Sequence, residues 1–214
     1  MDIDEFQQTV ARVKHHAQSV LTKSRWEHSV RVAETAALLC KKYGVDEACG
    51  YFAGIAHDMC KDMGDDELLT LASRDGNEIS ALERARPSLL HGRAAAVQLA
   101  NDFGVHDEDI LEAVRCHTFG KAGMCALAKI IYAADKIEPG RAHMTVAYFN
   151  KLLTLELDEL VKTVLDDNVA YLAKKGCEVA ADTQAFLASL ERYSTHCSND
   201  AFYSMQGNFY RGNA

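Results

Sequence analysis

The sequence predicts an all-α protein, on three observations. Breakers are rare, with 2 Pro and 13 Gly among 214 residues. Apolar residues recur at helical spacing in one segment after another, and no stretch alternates apolar with polar residues as a half-buried strand would. The chain is long enough to bury a self-sufficient core, and 48% hydrophobic against 25% charged residues is the balance of an ordered globular protein. A single helical domain is expected over residues 1–193, with its chemistry confined to 24–141. Residues 194–214, rich in Ser, Asn, Gly and Tyr without periodicity, are expected to form a flexible tail.

The elements follow in order. Ser24 and Glu27 form a capping-box signature ahead of Trp26, Val30, Ala33, Ala37 and Leu38, a helix that Gly44 ends; His28 falls in its first turns. Tyr51-Phe52-Ala53-Gly54-Ile55-Ala56 leads into His57-Asp58, and its near-continuous apolarity suggests a buried central helix, although periodicity alone leaves a strand open. Asp65-Asp66-Glu67 heads a short helix to about Ser73. Ser88 is expected to cap a helix with His91 in its first turn, and Asp107 one that runs to His117. Residues 124–135 read as a helix stopped by Pro139-Gly140, residues 145–175 as one or two amphipathic helices closed by Gly176, and residues 182–193 as a last helix.

A net charge of -8, from 31 acidic and 23 basic residues, argues against general affinity for nucleic acid or an anionic membrane. An anionic substrate must then meet a local cationic site. The Met1-Asp2-Ile3-Asp4 start has neither a basic nor an apolar leader region, and no apolar run approaches the roughly 20 residues that span a bilayer. The expected location is cytoplasmic. Seven cysteines without a Cys-x-x-Cys pair indicate neither a disulfide framework nor a zinc-thiolate site.

The nine histidines carry the chemistry only in part, since a lone helical histidine is usually a surface or satisfied core residue. His106-Asp107 is best explained by an Asp cap after a loop. His57-Asp58 differs, because it ends an apolar segment in which neither side chain would be buried without a partner. Neighbouring helical residues point about 100° apart, so the pair can approach one metal from two sides while Asp58 bridges to a second. His28, His91 and His117 lie at or near helix ends in apolar surroundings, and Asp135 follows Ile-Ile-Tyr-Ala-Ala. Four imidazoles and two carboxylates suit Fe, Mn, Co, Ni or Zn better than Ca or Mg.

His28, His57-Asp58, His91, His117 and Asp135 follow the order H…HD…H…H…D of the HD superfamily. Arg25-x-x-His28, His57-Asp58-x-x-Lys61, Leu89-Leu90-His91-Gly92, His117-Thr118-x-Gly120-x-x-Gly123-Met124 and Ala134-Asp135-x-Ile137-Glu138-Pro139-Gly140-Arg141 resemble, more narrowly, the YqeK-type symmetrical bis(5'-nucleosyl)-tetraphosphatases. That resemblance implies an HD-domain helical bundle with a C-terminal helical extension. It also implies two metal ions, iron foremost, held by His28, His57, Asp58, His91, His117 and Asp135, and hydrolysis of diadenosine tetraphosphate to two ADP. The Arg93-Ala94-Ala95-Ala96 stretch is outside the pattern we can match.

Three neighbours admit two readings. Lys61, one turn after His57, meets a phosphate or is a solvated lysine; Arg141 clamps a phosphate or caps the preceding helix. Thr118 bonds a phosphate or caps a turn, and Arg25 ranks behind Lys61 and Arg141. Gly120, in the motif of Thr118, is grouped with these substrate-binding residues, and Asp58, Lys61 and Arg141 are the expected catalytic set. The partner is a dinucleoside polyphosphate or another nucleotide, and a homodimer stays open. Two rival functions remain at this point: an HD-type 5'-nucleotidase or nucleotide phosphohydrolase, and a catalytically silent nucleotide sensor.

Overall fold

The structure, a computed structural model, describes residues 2–191, and among these every regular element is helical. The tail expected over 194–214 lies outside the described residues, as does the last part of the helix expected over 182–193. That helix runs over 181–191 as far as it is described. Helices α1 (Ile3–Val20), α2 (Lys23–Tyr43) and α3 (Glu47–Ala56) come first. The short α4 (Asp65–Ala72) and α5 (Ala81–Ala85) lead to α6 (His91–Phe103) and α7 (Glu108–Cys116). Then follow α8 (Ala126–Ile137), α9 (Val146–Leu152) and α10 (Leu157–Lys174).

The expected central segment is a helix rather than a strand. In α3, Phe52, Ala53, Gly54, Ile55 and Ala56 are all buried, because the element packs against α1, α2, α7 and α8 at once. Its approach to α2 depends on Gly54: a Cβ there would lie 2.5 Å from Ala33 Cα and 2.8 Å from Ala33 N. Gly92 plays the same part between α6 and α7, where a Cβ would lie 2.8 Å from Val114 O and 3.0 Å from the His117 ring. These two approaches draw the segments bearing His28, His57, His91 and His117 together.

Several expected starts and stops hold. Asp107 Oδ1 accepts from Ile110 N at 3.1 Å and caps α7. Gly44 ends α2 at φ 72°, and residues 145–175 divide into α9, capped by Thr145, and α10. Two expected caps are corrected. Helix α2 begins one residue before Ser24, with Thr22 at the cap position and no side-chain capping bond, so Ser24 and Glu27 form no capping box. Ser88 lies inside the 3-10 turn Pro87–Leu90 that feeds α6, and its carbonyl, not its hydroxyl, is used. The capping box is elsewhere, between Ser80 and Glu83 at the head of α5. Helix α1, with Asp2 as its cap, is an element the sequence reading did not single out.

The unmatched Arg93 stretch has a structural explanation. Arg93 pairs with Asp75 through two bonds of 2.7 and 2.8 Å, with Glu83 Oε1 at 3.0 Å and with the carbonyls of Asn77 and Glu78. It pins the segment between α4 and α5 to α6, while the alanines after it are buried in the core. Burial pushes the Asp75 carboxyl up, but Arg93 and the Asn77 N–H outweigh it and hold it below 3.8. The stability from that shift is therefore full above the ordinary carboxylate range and is lost as pH falls through the lowered value. Arg93→Met, which strands two carboxylates, should cost about 3 kcal/mol in urea unfolding at pH 7, and the loss should shrink in acid.

Candidate metal centre

Helix ends supply the imidazoles, for a reason rooted in backbone chemistry. The last carbonyls of a helix have no amide partner, and His57 and His117, which follow α3 and α7 directly, use them: His57 Nδ1 lies 2.7 Å from Gly54 O and His117 Nδ1 2.7 Å from Val114 O. His91 Nδ1 is likewise 2.7 Å from Ser88 O. A carbonyl oxygen only accepts, so each Nδ1 carries the proton and each Nε2 presents a lone pair. His28, inside α2, has no free carbonyl of its own helix; its Nδ1 meets the buried Glu138 Oε1 at 3.1 Å.

All four Nε2 atoms converge on Asp58. Its Oδ1 is 2.9 Å from His91 Nε2 and 3.6 Å from His117 Nε2, whereas its Oδ2 is 3.8 Å from His57 Nε2 and 3.9 Å from His28 Nε2. One carboxylate thus serves two groups, His28-His57-Asp58 and Asp58-His91-His117, both buried and both able to hold a metal ion. Asp135 adjoins the first, with Oδ1 3.1 Å from His28 Nε2 and 3.8 Å from His57 Nε2. The rings of His28, His57, His117 and His91 form a chain of edge-to-face pairs with centroids 5.4, 4.8 and 4.8 Å apart.

Metal fits this arrangement. The His91 and His117 Nε2 atoms are 2.9 Å apart with both protons committed elsewhere, and Asp58 Oδ1 is an acceptor too. His57 Nε2 is buried with no hydrogen-bond partner. Lone pairs forced together in a dry interior require a cation among them. The imidazoles do not supply it by protonation at neutral pH where burial acts most strongly: His57 is pushed down to about 3, and His91 is also lowered by burial. Burial raises the Asp58 carboxyl, yet His57, His117 and His91 hold it well below its ordinary value; for Asp135, Lys136, His28, His57 and Arg141 do the same. Both are anionic ligands in waiting.

Cations rim the cluster. Lys61 is reached by a tight turn rather than by continuation of α3, and its Nζ lies 3.2 Å from both His91 ring nitrogens. Arg25 NH1 is 3.5 Å from Asp58 Oδ2. Arg141 donates from Nε to Asp135 O at 2.7 Å and from NH2 to Asp135 Oδ1, and remains 37% exposed. Thr118 and Gly120 are not joined to this network: Thr118 Oγ1 is buried without a partner, and the Gly120 N–H is already given to Cys116 O at 2.7 Å. Two contributors were not singled out in the sequence. Glu138 also holds Arg31 Nε at 2.6 Å, and Lys136 Nζ donates to His117 O at 3.0 Å and lies 3.4 Å from Asp135 Oδ2. Their signal was their place within a turn of Asp135 at the end of an apolar run.

Residues 25–140 match the HD domain family. The chain belongs to that family. The protein named Bis(5'-nucleosyl)-tetraphosphatase, symmetrical, of Bacillus subtilis is 36% identical over 163 residues, which cover 76% of this chain and 87% of that protein. Its namesake in Halalkalibacterium halodurans is 34% identical, covering 77% and 88%. A crystal structure described as a predicted HD superfamily hydrolase involved in NAD metabolism, from Clostridium acetobutylicum, superposes with a TM-score of 0.79 at 28% identity, over 86% of this chain and 97% of that one. The HD domain and the two buried groups together make this a site for divalent metal.

Asp58→Ala should abolish metal retention in protein purified without a histidine tag, measured by elemental analysis. The Asp107→Ala protein should keep its metal and lose only the cap, about 0.5–2 kcal/mol of stability; normal metal content in Asp58→Ala would sink the assignment.

Proposed function

We propose that the protein hydrolyses dinucleoside tetraphosphates, diadenosine tetraphosphate foremost, at the central anhydride to give two nucleoside diphosphates. The observation that carries this reading is Asp58, whose two oxygens face two separate histidine groups beneath a cationic rim. Two relatives named symmetrical tetraphosphatases, each matched over most of its length, support the choice of substrate.

His28, His57, Asp58 and Asp135 would hold one ion, and Asp58, His91 and His117 the other. Iron is our choice for both, and Mn, Co, Ni or Zn would also suit these nitrogen and oxygen donors. Bound there, two such ions supply a water of lowered pKa as nucleophile and a Lewis acid for the phosphoryl oxygen. The chain does the rest. Each fixed Nδ1–H leaves Nε2 as the ligating nitrogen and aims it inward. Arg141, half outside the cluster, binds phosphate with its free edge while steadying Asp135 with the other. Lys61 and Arg25 neutralise charge that grows on the oxygens as the anhydride breaks. Thr118, whose buried Oγ1 has no partner of its own, and Gly120 beside it are the further residues we assign to substrate contact. Among the described residues, no helix is long and apolar enough to cross a membrane, and a nucleotide substrate supports a cytoplasmic role.

Attack in line with the leaving oxygen determines which bond breaks, so the register of the bound phosphate chain decides the products. Hydrolysis of diadenosine tetraphosphate in oxygen-18 water should place one heavy oxygen in ADP, read by mass spectrometry. AMP with ATP as the main products would refute the symmetrical reading, phosphate release from AMP alone would favour a nucleotidase, and binding without turnover a sensor. Lys61→Ala should lower kcat/KM by about 100-fold with metal content retained. Arg141→Ala should lower both, because the guanidinium is bonded to Asp135.

A further inference from the structure

Three of the four central histidines fix their tautomer on a backbone carbonyl three residues earlier, a neutral partner that comes with the helix end or turn. His28 is the exception. It lies inside α2, where the carbonyls of the preceding turn are taken by helix amides, so the local backbone offers it nothing. Its Nδ1 faces a carboxylate from 110 residues later, Glu138 Oε1, at 3.1 Å.

That carboxylate is held with unusual care. Arg31, one turn after His28 on the same helix, donates from Nε to Glu138 Oε2 at 2.6 Å and from NH2 to Oε1 at 3.3 Å, and the Gly140 N–H donates to Oε2. Gly140 is itself constrained, since a Cβ there would lie 2.6 Å from the Arg31 guanidinium carbon. Glu138 is 1% exposed, so its charge and position are set by these three donors on Arg31 and Gly140 and not by solvent. A buried anion this well satisfied offers one remaining acceptor direction, and His28 takes it.

We propose that Glu138 is the positioning residue for the metal held by the His28 group. It keeps the proton on His28 Nδ1 and aims Nε2 at the centre, and His28 is the one member of the four whose Nδ1–H is given to a carboxylate rather than to a backbone carbonyl. The inference rests on the metal-centre reading above and adds to it a residue that touches no ion. Arg31 and Gly140 act on the metal only through Glu138.

The test uses the full chain, stripped of metal and titrated with Co2+ while the visible absorption bands are followed. Glu138→Gln keeps the shape and removes the charge, and it should weaken one Co2+ binding step by about 10- to 100-fold at a melting temperature of the metal-free protein close to wild type. In a His28→Ala background the same change should add no further loss, since a residue that acts through His28 has nothing left to act on. Unaltered Co2+ affinity in Glu138→Gln, or an equal loss with and without His28, overturns the proposal. Wild-type protein that binds no Co2+ would instead overturn the metal-centre reading itself. Should Glu138→Gln fail to fold, the Zn2+-loaded wild type decides by NMR. His28 Nδ1 should then carry a proton, shifted further downfield than those of His57, His91 and His117, and a metal-ligated Nδ1 would refute the assignment.

Discussion

A surplus of lone pairs in a dry interior is the constraint on which this structure turns. Four imidazole nitrogens and the two oxygens of Asp58 meet among buried side chains, and none of the protons on the rings points inward. Such a centre is costly without a cation, so it persists only where packing over-determines it. The tight approaches at Gly54 and Gly92 supply that packing. Side chains there would force α2 from α3, or α6 from α7, and the nitrogen atoms would drift beyond reach of a common ion.

Local backbone chemistry does much of the positioning at little cost. An unpaired carbonyl at a helix end is ordinarily a liability, and here it is turned into a tautomer lock. His57 and His117 satisfy such carbonyls while presenting Nε2 to the cluster. Histidines at helix ends are therefore suited to ligation in a way mid-helix histidines are not. His28, mid-helix, needs the separate apparatus of Glu138 and Arg31.

Much of this was legible in the sequence because it depends on signals that are local. The apolar run into His57-Asp58, the Asp107 cap and the Gly44 stop each follow from a few adjacent residues, and the ordered set of His and Asp brought the six cluster residues forward together. What was missed depends on tertiary contact. Ser24 looked like a cap, yet the helix starts one residue earlier, where the Thr22 N–H is met by Asp62 from a distant turn. Arg93 looked like a break in pattern and is instead the clamp on residues 75–83. Nothing near Glu138 in sequence says that its partners are Arg31 and His28. Thr118 and Gly120 show the converse: adjacency to a ligand in sequence did not bring them into the polar network.

The separation between partners has a consequence for the birth of the molecule. His28 meets Asp135 across 107 residues, and Arg31 meets Glu138 across the same span. A chain emerging from the ribosome can form α2 and α3 early, since they are neighbours, but the bonds that complete the His28 side of the cluster wait until residue 138 is free. Contacts this remote in sequence carry the loop-closure entropy of the whole intervening segment. Until that segment is available, the cluster lacks both Asp135 and the carboxylate that orients His28.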